Sequence, residues 1–247
     1  MVMNIALLLS GGTGTRLGGS IPKQYMDAGG RPVIFYCMQT FTCHIQIDVV
    51  QIVADREWQE EIDRCAGLLQ DRQLWREKFR GYSLPGKNRQ LSIWNGLKDI
   101  KACAKDTDYV LIHDAARPLL SAEQITCCLE GAEDRDGAMP VLPMKDTVYF
   151  SRTGHKVDHL LDRETIYAGQ APEVFRLGPY YEANRRLLPD EILKINGSTE
   201  PAVMAGMDIA MIPGDEGNFK ITTREDLERF CRMAEKKGNQ RKGRKTR

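Results

Sequence analysis

Residues Leu9-Ser10-Gly11-Gly12-Thr13-Gly14-Thr15-Arg16, followed by Pro22-Lys23-Gln24, set two cations beside a glycine-rich loop. Glycines let the backbone approach a ligand closely, and successive bare N–H groups make an anion-binding nest. With Arg16 and Lys23 beside it, such a nest describes a site for a polyanion, most simply a nucleoside triphosphate. The plain alternative is an ordinary strand-to-helix turn, and the two cations argue against it.

Two better-known glycine loops fail here. The dinucleotide fingerprint needs a third glycine for helix packing, and reading from Gly12 puts Leu17 there. The stretch Gly81-x-x-x-x-Gly86-Lys87-Asn88 stops one residue short of a P-loop. Asn88 replaces the hydroxyl that would bind Mg²⁺, and Pro85 removes an N–H from the cradle.

Further along, Ile112-His113-Asp114-Ala115-Ala116-Arg117-Pro118 packs an acid, two small residues and a base together. Asp114 has the chemistry to hold Mg²⁺ against phosphate oxygens, and its plain alternative is a turn cap paired with Arg117. His113 has no nucleophile partner in sequence and reads as a core or turn-stabilising residue. Lys145-Asp146-Thr147 and Asp162-Arg163 suit a second phosphorylated ligand, Arg163 offering a fork to phosphate, or else form salt bridges on an exposed ribbon. In Asn218-Phe219-Lys220-Ile221-Thr222, Lys220 falls inside an apolar stretch read as a strand, where a cation needs an anionic partner.

These groups need a scaffold, and the hydrophobic pattern supplies one. Residues 5–9, 48–54, 109–112 and 138–142 are short, bounded apolar runs that read as buried strands. Shorter strands are expected at 79–84, 206–213 and 218–221. Helices are expected to open at Pro32, to run from 57 to 69 and on to 75, and to cover 91–104 and 223–234, with another capped at Ser121. Strands alternating with helices predict βαβ units, a mostly parallel sheet, and ligand sites outside the carboxyl ends of the strands. The glycine loop and Asp114 both fall at such ends. Residues 147–150, a turn at 152–154 and the alternation after it read as a projecting hairpin. A two-stranded ribbon is marginal alone, so it is expected to pack on a partner subunit.

A chain of 247 residues with 28% charged residues is that of a folded α/β protein rather than a disordered or membrane-spanning one. The start lacks a secretory pattern, and seven cysteines without a C-x-x-C spacing read as reduced packing residues, so a cytoplasmic location is expected. The net charge of +1 conceals an asymmetry: the seven Lys and Arg after Glu235, once subtracted, leave −6 on the body. The division expected is one domain over 1–234, then a basic, disordered tail over 235–247. Nucleic-acid binding by that tail is the weaker reading, because nothing aromatic interleaves it.

Taken in order, the glycine loop, Pro22-Lys23-Gln24, Arg89-x-x-Ser92-Ile93-x-Asn95-Gly96-Leu97, residues 113–118, Lys145-Asp146-Thr147, Asp162-Arg163 and residues 218–222 resemble the IspD/TarI cytidylyltransferases. The resemblance runs from about residue 5 to 230. It implies a Rossmann-like, GT-A-like α/β nucleotidyltransferase, a homodimer clasped by the arm over 146–170, and dependence on CTP and Mg²⁺. Arg16, Lys23 and Lys220 would be catalytic through their grip on the phosphates. Ser10, Gly11, Gly12, Gly14, Gly86, Arg89, Ser92, Asp114 and Ala115 would line the nucleotide, with Asp114 facing the metal. Arg117, Thr147, Arg163 and Thr199 would serve the acceptor, Arg117 by supporting the Asp114 loop.

Some positions depart from the family pattern. Gly217 stands where an acid often precedes the Asn, Gln170-Ala171-Pro172-Glu173 replaces Gln-Thr-Pro-Gln, Thr199-Glu200 replaces Thr-Asp, and Pro85 and Lys87 replace a glycine and an acid. The acceptor narrowly favoured is 2-C-methyl-D-erythritol 4-phosphate over ribitol 5-phosphate. A CTP-binding protein without catalysis is the third reading. Membrane and nucleic-acid partners are not expected.

Overall fold

The computed structural model describes residues 2–12 and 21–245, with side chains up to residue 236. Thr13, Gly14, Thr15 and Arg16 therefore lie outside the described residues.

The chain begins with β1 (Asn4–Leu9), then a short 3-10 turn (Lys23–Tyr25), α1 (Val33–Cys43) and β2 (Val49–Val53). Two helices follow, α2 (Arg56–Ala66) and α3 (Arg72–Lys78), where the sequence pattern suggested one. Gly67 ends the first and Asp71 caps the second, its carboxylate accepting from the Leu74 N–H at 2.8 Å. After β3 (Phe79–Ser83) come α4 (Arg89–Lys101), β4 (Tyr109–Asp114), α5 (Ala122–Gly131) and β5 (Gly137–Pro143). The Ser121 hydroxyl caps α5, accepting from the Gln124 N–H at 3.1 Å.

The hairpin is present as β6 (Val148–Phe150) paired antiparallel with β7 (His159–Leu161), a sheet of its own. Then come β8 (Tyr167–Gly169), β9 (Glu173–Arg176), α6 (Leu177–Arg185), α7 (Glu200–Met204), β10 (Ile209–Pro213) and α8 (Arg224–Lys245).

The main sheet runs β10-β5-β9-β4-β1-β2-β3, with β8 on β5. The pairs β4-β1, β1-β2, β2-β3 and β5-β10 are parallel, whereas β9 lies antiparallel between β4 and β5. Side chains of β1 alternate between two buried layers. Ala6 and Leu8 pack with α1 and α5, while Ile5 and Leu7 pack with α4 and α6. Burial on both faces explains why this strand reads as an unbroken apolar run. Helix α4 approaches β1 closely at Gly96, where a Cβ would stand 2.5 Å from Leu7 Cδ1.

One expectation is corrected. Residues 218–221 form a loop, in which the Ile221 N–H donates to the Ala116 carbonyl at 2.8 Å. A stretch of four with a charge in it becomes a strand only where neighbouring strands offer an edge, and this one pairs with none.

Candidate active site

The carboxyl ends of β1 and β4 are side by side, with Leu9 paired to Asp114 and the Ala115 N–H donating to the Leu9 carbonyl at 2.9 Å. Parallel pairing thus brings the start of the glycine loop to the acid, as the strand-end reading predicts. Gln24 holds the loop's entry, its amide donating to the Ser10 and Gly12 carbonyls, both at 2.7 Å. Tyr25 adds a hydroxyl pair with Ser10 at 2.8 Å. Gly11 is pressed on the next loop, where a Cβ would come within 2.5 Å of Pro85 Cβ. Lys23 opens the 3-10 turn, half-buried, next to Gln24.

The near-P-loop dissolves into two unrelated devices. Gly81 sits inside β3 at a register shift against β2, with φ +133, a backbone suited to glycine. Asn88 is the N-cap of α4, accepting from the Leu91 N–H at 2.8 Å. Gly86 lies so close to Leu91 that any side chain would collide, and its N–H donates to Ser92 Oγ at 2.9 Å. Gly86 and Ser92 are therefore one unit at the start of α4.

Asp114 is the electrostatic centre. Lys220 Nζ stands 2.8 Å from its Oδ2, Arg89 Nε donates to its Oδ1 at 3.1 Å, and Arg117 Nε is 4.0 Å from Oδ2. Burial alone would push the carboxyl up, but Arg89 and Lys220 outweigh it and hold Asp114 well below the usual carboxylate range. Lys220 thus has the anionic partner that its sequence context demanded. It reaches it from a loop: Arg117 Nη1 donates to the Asn218 carbonyl at 2.8 Å, and Asn218 Nδ2 donates to the Ala171 carbonyl at 2.8 Å. Arg117 is turned inward, supporting the Lys220 segment.

His113 is fully buried, its Nε2 3.0 Å from the Arg117 carbonyl and its ring edge-on to Phe41. Burial pulls its imidazole down to about 4, so the ring is neutral near pH 7. That is the turn-stabilising role the sequence suggested.

Glu173, Ser198, Gln24 and Asn218 complete the site, and none of them stands among the residues assigned from sequence. Glu173 opens β9 opposite Ile112 and accepts from Ser198 Oγ and from Thr199 Oγ1, the latter at 3.2 Å. Burial pushes its carboxyl up, partly offset by Arg89 and by the Ser198 hydroxyl. Gln24, Asn218 and Glu173 had a signal, their places in Pro22-Lys23-Gln24, in residues 218–222 and in Gln170-Ala171-Pro172-Glu173; Ser198 comes from a segment without a motif.

Thr147 and Arg163 lie on the exposed ribbon, where Arg163 Nη1 donates to the Lys145 carbonyl at 3.1 Å. Among the described residues, neither is hydrogen-bonded to Asp114, Arg89 or Lys220. Near the missing acid at Gly217, Glu216 pairs with Lys145, and Asp215 accepts from the Gly217 N–H at 2.7 Å.

The start of the glycine loop and a caged carboxylate thus lie at adjacent ends of parallel strands in a Rossmann-like α/β protein. The family described as "IspD: 2-C-methyl-D-erythritol 4-phosphate cytidylyltransferase" matches over residues 4–233. A 2-C-methyl-D-erythritol 4-phosphate cytidylyltransferase of Rubrobacter xylanophilus is 32% identical, covering 90% of this chain and 91% of the relative. A bifunctional enzyme IspD/IspF of Rhodopseudomonas palustris is 35% identical over 91% of this chain, which spans only 54% of that longer relative. The fold agrees with the 4-diphosphocytidyl-2C-methyl-D-erythritol synthase structure from Anaerococcus prevotii at TM-score 0.79, 22% identity, and coverage of 94% and 96%. The chain belongs to the IspD cytidylyltransferase family.

Proposed function

We propose that this protein is a CTP-dependent cytidylyltransferase acting on 2-C-methyl-D-erythritol 4-phosphate. An acceptor phosphate oxygen attacks the α-phosphorus of CTP, the bond to the β-phosphate breaks, and pyrophosphate leaves. The observation that carries this reading is Asp114, kept ionised by Lys220 and Arg89 beside the glycine loop in a chain of this family.

The nucleophile needs no general base, because a phosphomonoester's second pKa is about 6. A neutral, buried His113 fits that chemistry. What remains for the protein is positioning and charge, the common demand of phosphoryl transfer. Arg16, Lys23 and Lys220 supply cations, and Ser10, Gly11, Gly12 and Gly14 the cradle. Gly86 and Ser92 shape the wall beside the base.

Mg²⁺ would neutralise charge on the phosphate oxygens when bound. Asp114 suits it: the carboxylate is ionised, and its two oxygens offer about four lone-pair sites, of which Lys220 and Arg89 take two. One carboxylate plus phosphate and water is an ordinary Mg²⁺ set.

The ribbon exposes Tyr149, Phe150, Val157 and Leu160, which supports its burial against a second copy. That contact would carry Thr147 and Arg163 to the partner's acceptor site. Cysteines unpaired throughout support a reducing, cytoplasmic setting, and among the described residues no helix is long and apolar enough to cross a membrane.

Pyrophosphate release from CTP, measured in parallel with methylerythritol phosphate and ribitol phosphate, tests the proposal. Turnover with the first is expected. Turnover confined to the second would move the acceptor to ribitol, and CTP binding without release would overturn the reading.

A further inference from the structure

We propose that Glu173 is a positioning residue that ties the loop carrying Thr199 to the Asp114 end of the site through Arg89. The inference rests on the cytidylyltransferase reading and deepens it on the acceptor side.

Three donors converge on this one carboxylate. Ser198 Oγ donates to Oε2, Thr199 Oγ1 donates to Oε1 at 3.2 Å, and Arg89 Nη2 stands 3.9 Å from Oε2. Arg89 closes the figure, with Nη1 donating to Ser198 Oγ at 2.8 Å and Nε donating to Asp114 Oδ1 at 3.1 Å. The guanidinium therefore bridges two buried carboxylates on neighbouring strands, β4 and β9. The Ser198 hydroxyl uses both its capacities, accepting from Arg89 and donating to Glu173. Ser198 is 1% exposed and Glu173 8%, so water cannot readily substitute for a lost partner.

An ionised carboxylate is acceptor-only, which is what three converging donors require. The glutamine of the resembling family pattern would offer one acceptor oxygen and an NH₂ that has to face a donor. In this chain the pairing of Glu173 with Ser198 and Thr199 sets where residues 197–200 lie. Arg89 then transmits that setting to Asp114. Among the described residues, Glu173's own hydrogen bonds run to Ser198 and Thr199, on the side of the site that the family resemblance gives to the acceptor.

The test compares Glu173→Gln and Ser198→Ala with the parent protein. Measured are the acceptor KM and kcat by pyrophosphate release, the Kd for CTP by calorimetry, and Tm. Glu173→Gln is expected to raise the acceptor KM about tenfold with the CTP Kd changed less than twofold. Ser198→Ala should do the same about threefold, and the double variant should be no worse than Glu173→Gln alone, as members of one network behave. Should Glu173→Gln fail to fold, the split between acceptor KM and CTP Kd in Ser198→Ala decides. Unchanged acceptor KM, or acceptor and CTP affinities falling together with Tm, would overturn the positioning role. A parent protein that binds CTP but turns over neither acceptor would overturn the underlying reading, and the inference with it.

Discussion

Asp114 and the ribbon of β6 and β7 are both expected to meet phosphate, yet they are built in opposite ways. Asp114 is 8% exposed, ends a strand buried on both faces, and has three cations around it. The ribbon is a separate two-stranded sheet with Tyr149 and Leu160 more than half exposed. A charge cage inside a core is preorganised by packing, so its geometry survives without ligand. Two strands with apolar side chains facing water have no such support of their own. The comparison teaches that the charge cage around Asp114 is held by packing within one chain, whereas the ribbon, among the described residues, has no comparable support.

Removing the cage should have the largest effect. Lys220→Ala deletes the nearest cation to Asp114, and turnover should fall about 10²–10³-fold, by analogy with other preorganised contacts to developing charge. Lys23→Ala and Arg16→Ala belong to the same range. Steady-state pyrophosphate release measures all three, and near-normal turnover would mean that the cage is structural only.

Stability should separate the two regions next. Leu8→Ala, in the layer between β1 and α1, is expected to cost about 2–5 kcal/mol in urea unfolding. Leu160→Ser on the ribbon should change the stability of a dilute monomer by less than about 0.5 kcal/mol. It should instead shift sedimentation toward smaller species at high concentration. A ribbon variant that unfolds the monomer would show that the ribbon packs on its own chain.

The last effect is a pH dependence confined to the core side. His113 titrates near 4 when folded and near 6.5 when unfolded, so the unfolded chain binds the extra proton between these values. Its contribution to stability is present above about pH 6.5 and is lost as pH falls toward 4. Buried His44 is lowered by burial as well, and acts in the same direction. Denaturation midpoints between pH 4 and 7 should therefore rise with pH, and His113→Gln should flatten the slope.

Much of this arrangement was legible in one dimension. Strands β1, β2, β4 and β5 announce themselves because two-sided burial leaves uninterrupted apolar runs, and Ser121 because capping is local chemistry. Asp114 and Lys220 drew attention as a charge at a strand end and a charge in an apolar stretch. The break between α2 and α3 hid behind continuous helical spacing, since Gly67 and Asp71 are single residues. Strand β9 was invisible for another reason: four residues, two of them charged, become a strand only because β4 and β5 offer edges on either side.

What the sequence by itself determined is the set of local commitments: which segments must be buried, where the backbone must turn at glycine, and which charges need partners. The tertiary structure alone decided who those partners are. Asp114 and Lys220 are far apart along the chain, and Glu173, Ser198 and Arg89 belong to three different elements. Their meeting depends on strand order and on an antiparallel insertion, and neither leaves a mark on local composition. Charge pairing at a buried site is a property of distance through space, and that is set only once the sheet has closed around it.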